Sequence, residues 1–214
     1  MKPGLFLLLL TACPAEQLGV NLPAGGIESM SNEDLQRDVW GLSRGALSDR
    51  RPGRQGHEAG LQFIGERLQS MHTLPAFGDS LLQPAGEGFN LCTIQKGEGL
   101  AHILITTNDS GLGAYESASG VAGLISLAKS FDVRERPAQS LIFCVIAGEA
   151  GAQALELNPV VPPESVLATF ALGPMGIDKN AQEKSPGPKE DLDFRILLDE
   201  IRQIRGRIDE VLKP

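Results

Sequence analysis

A chain of 214 residues, 42% hydrophobic and 21% charged, has the length and composition of one globular domain with at most a small appendage. Its formal net charge of −8 excludes nucleic acid as a partner, because phosphate binding requires a basic patch. It contains no run of about 18 apolar residues, so no spanning helix is predicted, and its three cysteines include no Cys-x-x-Cys, so no zinc knuckle or dithiol motif is written.

At the N-terminus, Lys2 precedes an apolar run from Leu5 to Leu10, followed by Leu10-Thr11-Ala12-Cys13. A charged start, a short apolar core and a cysteine in this order look like a bacterial lipoprotein signal, with residues 1–13 as signal peptide and lipobox. The resemblance implies acylation of Cys13 and anchoring to a membrane, since several acyl chains anchor stably where one does not. Pro14 stands where an aspartate often marks inner-membrane retention, so the expected place is the periplasmic face of the outer membrane, in a bacterial cell envelope. A frayed apolar tail or an early buried strand is the simpler alternative. Residues 14–30, rich in Gly and Pro from Gln17 to Ile27, read as a tether.

Residues 31–176 read as the folded domain. Ser31 with Asp34 three residues on is a capping-box-like start, and Leu35, Val39 and Leu42 give a short amphipathic helix. Arg50-Arg51-Pro52-Gly53 is a turn signal. A second helix follows to about Met71, with Leu61, Ile64 and Leu68 as its apolar stripe. Phe89 to Ile94 reads as a strand. Cys92 lies in it and Cys144 in a later one; buried free thiols are the default there, and an oxidising compartment would permit a disulfide. His57 and His72 at helix borders and His102 before a strand read as solvated or capping residues, because no second ligand is spaced beside any of them.

The centre of the chain runs from Ile103 to Gly151. Ile103-Leu104-Ile105 suits a buried strand. A glycine-rich turn from Ser110 leads into a helix from about Ala118 to Phe131, and Leu141 to Ile146 forms the next strand, ending in Gly148-Glu149-Ala150-Gly151. Strand, helix, strand with a glycine-rich first turn is a parallel βαβ unit, and ligands usually sit at its strand ends. A last apolar strand, Val166 to Leu172, runs into Gly173.

Four segments resemble motifs of the zinc aminopeptidase family, which includes bacterial leucyl aminopeptidases, glutamate carboxypeptidases and the transferrin receptor. They are Thr107-Asn108-Asp109, Gly113-Ala114-Tyr115-Glu116-Ser117-Ala118-Ser119-Gly120-Val121-Ala122, Gly148-Glu149-Ala150-Gly151 and Ala171-Leu172-Gly173-Pro174-Met175-Gly176. The family writes them with His-x-Asp, Gly-Ala-Asp-Asp-Asn-Ala-Ser-Gly, Glu-Glu-x-Gly and Asn-Leu-Asp-Met. The resemblance implies an α/β domain of three αβα layers around a short, mostly parallel sheet of about four strands. It implies also that the chemistry is largely lost. Thr107 stands at a histidine ligand, Gly148 at the general base and Gly173 at an aspartate ligand, and the chain has no histidine after His102. Asp109, Glu116 and Glu149 remain as vestigial metal candidates. No cofactor is expected, although three carboxylates could hold calcium or magnesium weakly.

Residues 177–188 read as a linker, and residues 189–212 as an amphipathic C-terminal helix. Phe194, Leu197, Ile201, Ile204, Ile208 and Val211 alternate three and four apart, as in a coiled-coil seam. They predict self-association or docking to a protein partner, with packing on the chain's own domain as the equal alternative. The expected function is a noncatalytic, lipid-anchored peptidase-like domain serving binding or assembly in a membrane-associated complex. The alternative is a metal-dependent aminopeptidase with residual or relocated zinc ligands.

Overall fold

A computed structural model describes residues 25–109, 117–132, 136–176 and 192–213. A mixed six-stranded sheet carries the molecule: β1 (Leu74–Pro75), β2 (Leu82–Ala85), β3 (Gly88–Gln95), β4 (His102–Asn108), β5 (Ser140–Ile146) and β6 (Val166–Leu172). The strand order is β1-β3-β5-β4-β6, with β2 also paired to β3. β5, β4 and β6 run parallel, while β1, β2 and β5 each pair antiparallel to β3. β1 and β2 exceed the expected strands. Their runs are too short, and in β2 too interrupted by Pro84, to stand out by alternation.

Helices α1 (Asn32–Ser43), α2 (Gln55–Gln69), α3 (Ser119–Phe131) and α5 (Phe194–Leu212) share the main core with one face of the sheet. α4 (Gly148–Leu157) lies against β2 and β3, and Leu155 packs with Ile142, Cys92 and Cys144 in a second, smaller core. α1 starts as its cap predicts: the Ser31 hydroxyl accepts from the Asp34 amide at 3.2 Å. α3 is buried on nearly every side, as the crossover helix of a parallel unit should be.

Two boundaries differ from expectation. The domain begins before residue 31: Met30 and Ser29 are buried, and the Gly26 amide donates to the Ser130 carbonyl at 2.6 Å. The expected tether is therefore packed at its end, while residues 1–24 lie outside the described residues. α5 is no separate appendage. Leu197, Ile201 and Ile208 are fully buried, and the helix packs on α1, α3 and β6 of its own chain. Half of its three-four stripe is thus packed on its own domain, while Phe194, Ile204 and Val211 are only partly buried. A narrow apolar stripe does not distinguish a partner helix from two helices of the same domain.

Cys92 and Cys144 stand directly opposite in the β3–β5 ladder and form a disulfide, in place of the free thiols that strand burial alone makes the default.

Candidate functional site

The carboxyl ends of the parallel strands β4, β5 and β6 meet the first turns of α3 and α4, where a crossover fold gathers its chemistry. Thr107 at the end of β4 is buried and lies beside Val145 and Leu172 in register. α3 enters this corner very closely. A Cβ at Gly120 would lie 2.5 Å from the Thr107 Oγ1 and 3.1 Å from the Gly173 carbonyl oxygen, so only glycine fits.

Asp109 follows β4 and is 4% exposed. Its amide donates to the Ile146 carbonyl at 3.0 Å, which binds it to the end of β5. Its carboxylate receives Arg50 on both oxygens, Nε to Oδ2 at 3.0 Å and Nη2 to Oδ1 at 3.1 Å. Arg50 has no exposed surface. It also donates to the carbonyls of Leu42 and Leu47 and to the Ser117 hydroxyl. One guanidinium thus ties the end of α1, the loop after it, the strand end and the entry to α3.

His57 locks the carbonyl of the same residue. The Phe89 amide donates to its Nε2 at 3.0 Å, so its Nδ1 carries the proton and donates to the Arg50 carbonyl at 3.0 Å. Neither Arg50 nor His57 stood out in the sequence as more than a turn residue and a solvated histidine. The available signal was the Arg51-Pro52-Gly53 turn that precedes α2. His72 is the exposed histidine expected, paired with Asp132, and His102 meets Ser165.

At the end of β5, Gly148 opens α4 with φ +63° and donates its amide to the Asn108 Oδ1 at 3.1 Å. Glu149, in the first turn of α4, is exposed. Gly173 follows β6 and is exposed, with open space where a Cβ would stand. Glu116 and Cys13 lie outside the described residues. Of the vestigial metal candidates, Asp109 is already neutralised by a buried cation and Glu149 faces solvent. Among the described residues no three His, Cys, Asp or Glu side chains converge as metal ligands. The donors among the described residues do not by themselves fit a two-zinc site. They also leave a hard cation far short of the roughly six oxygens that calcium takes.

Solved structures share this arrangement of sheet and helices. A glutaminyl cyclase from Porphyromonas gingivalis superposes with a TM-score of 0.57 at 18% identity, over 70% of this chain and 61% of that one. A Zn-dependent exopeptidase from Parabacteroides distasonis gives a TM-score of 0.55 at 16% identity, over 69% of this chain and 62% of that one. The chain has a zinc-exopeptidase-like fold. The glutaminyl cyclase of Bacteroides thetaiotaomicron, bound to N-acetylhistamine, gives 0.55 at 14% identity over 82% of both chains. The chain thus spans about three fifths of the length of the first two, 61% and 62%. No protein-family model matches it, and no curated protein matches it by sequence.

Proposed function

We propose that this exopeptidase-like domain is noncatalytic and serves as a binding or assembly module, lipid-anchored through Cys13 at the periplasmic face of a bacterial outer membrane. The observation that carries the reading is the Arg50–Asp109 pair. The one carboxylate retained at the end of β4 is held on both oxygens by a buried guanidinium. The neighbouring strand-end positions, Thr107, Gly148 and Gly173, carry no carboxylate or imidazole. Hydrolysis by a metal-bound water needs ligands for the metal and a base beside the water. The described strand ends supply neither.

The Cys92–Cys144 disulfide supports a place outside the cytoplasm, where such bridges persist. Its pairing leaves Cys13 as the odd cysteine of three, which agrees with acylation of that residue.

The test is turnover. Purified protein supplied with zinc should hydrolyse no aminoacyl-nitroanilide and cyclise no N-terminal glutaminyl peptide, the activities named for its fold relatives. Gly148→Glu should add none, since a base without a metal-bound water has nothing to activate. Chelator-sensitive turnover that Glu149→Ala abolishes would overturn the reading. For the anchor, Cys13→Ser should leave the precursor unprocessed and unlipidated in membrane fractions.

A further inference from the structure

We infer that the free edge of β6 accepts an extended peptide strand from a partner, laid under α5 with an acidic side chain against Arg207. The inference rests on the binding-module reading and gives it a surface. β6 pairs with β4 alone among the described residues, so every second residue turns its amide and carbonyl away from the sheet. Natural edges are commonly blunted by charge, proline or brevity. Val166 to Leu172 is seven residues long, contains no charged residue and no proline, and pairs regularly with β4 from Ala168 to Leu172, past a register shift at Leu167. Its side chains on the face away from α5 are exposed, with Leu167 at 56%.

α5 turns this edge into a groove. α3 lies over β4, β5 and β6, and α5 packs beside α3 while touching β6. Packed helices stand roughly 8–10 Å apart, whereas strands are about 4.8 Å apart. α5, packed beside α3, is thereby brought over β6, where the Arg207 guanidinium lies over the Phe170 ring. At the carboxyl end of β6 this groove has a volume of about 270 Å³ and is lined by Leu172, Gly173 and Met175 and by Glu200, Ile204 and Arg207 of α5.

The charges define the occupant. Glu200 is engaged, with its Oε2 accepting from the Gly176 amide at 2.7 Å. Arg207 is exposed, stacks over the Phe170 ring at 5.5 Å and meets no carboxylate among the described residues. A strand added to β6 would present alternate side chains to α5. Apolar residues there would meet Ile204, and a carboxylate would meet Arg207.

The probe is an acetylated, amidated heptapeptide, Thr-Val-Thr-Glu-Thr-Val-Thr, compared with the same peptide carrying Lys in place of Glu. Titrated into the mature full-length protein, the Glu peptide should slow amide exchange along β6. It should bind roughly fivefold more tightly than the Lys peptide, the upper range for a partly exposed ion pair. Arg207→Glu should invert that order. Absence of binding, or an order unchanged in Arg207→Glu, overturns the inference. A dimer in sedimentation that Leu167→Lys dissociates also overturns it, because a second copy would then hold the edge. Failure here without turnover refutes the edge alone, whereas turnover in the enzyme assays refutes the binding-module reading beneath it.

Discussion

Arg50 and Asp109 lie 59 residues apart in sequence and meet through two parallel hydrogen bonds, 3.0 and 3.1 Å long, with the guanidinium sealed from solvent. Removing one partner of such a pair leaves an uncompensated buried charge, which costs about 3–5 kcal/mol. Asp109→Ala and Arg50→Met should each lower unfolding free energy by that order in urea titrations. The double variant should lose less than the sum of the two, because it buries no lone charge. Additive losses, or single losses below about 1 kcal/mol, would mean that the pair does not hold the strand end.

The disulfide supplies a second independent staple. Cys92 and Cys144 are separated by 52 residues and are fully buried under α4. Closing a loop of that size restricts the unfolded chain by about 4 kcal/mol on the loop-entropy model. Cys144→Ser should therefore lower stability by about 2–4 kcal/mol. Reductant should lower the midpoint of the wild type but leave that of the variant in place. Equal midpoints for oxidised and reduced wild type would contradict this.

Much of this was legible in the residues. Val166 to Leu172 is found as the last strand with the expected bounds, and the Ser31 cap, the crossover helix and the β4–β5 pairing follow from apolar period and turn chemistry. What was hidden depends on distant partners. Arg50 has the look of any turn arginine until Asp109 arrives 59 residues later. α4 escaped because Gly148 to Leu157 carries only a shallow apolar face over a small core. The fate of the stripe on α5 was open for a related reason. Period reports that one face is buried, never by what.

Acid should loosen the join between α1 and α3. Burial alone would raise the Asp34 carboxyl, but the hydrogen bond from Lys129, its charge and that of Arg37 outweigh it and hold the group below its ordinary 3.8. A carboxyl depressed in the folded state contributes stability that is fully present above its unfolded value. That contribution is lost as pH falls through the lower folded value. Wild-type stability should therefore decline below about pH 4 more steeply than that of Asp34→Asn. Parallel stability curves for the two proteins between pH 5 and about 2 would show that the contact is not linked to folding.

The final prediction separates the two uses of α5. Ile201 is fully buried among α1 and α3, while Ile204, one turn on, is half-buried and lines the groove beside β6. Ile201→Ala deletes packing and leaves a cavity in the main core, so it should lower stability by about 2–5 kcal/mol. Ile204→Ala removes only partly covered surface and should lower stability by less than about 1.5 kcal/mol. The order matters more than the sizes. A helix whose stripe served a partner would give the reverse result, with Ile201→Ala barely changing the melting temperature and instead dissociating an oligomer. Deleting residues 192–213 should likewise expose the faces of α1 and α3 that Leu197, Ile201 and Ile208 now cover. The truncated domain should then melt at a lower temperature and bind a hydrophobic dye in its native baseline. Sedimentation should report a monomer for the full chain and for both point variants. A full chain that sediments as a dimer, with Ile201→Ala as a stable monomer, would return α5 to the role of an intermolecular seam.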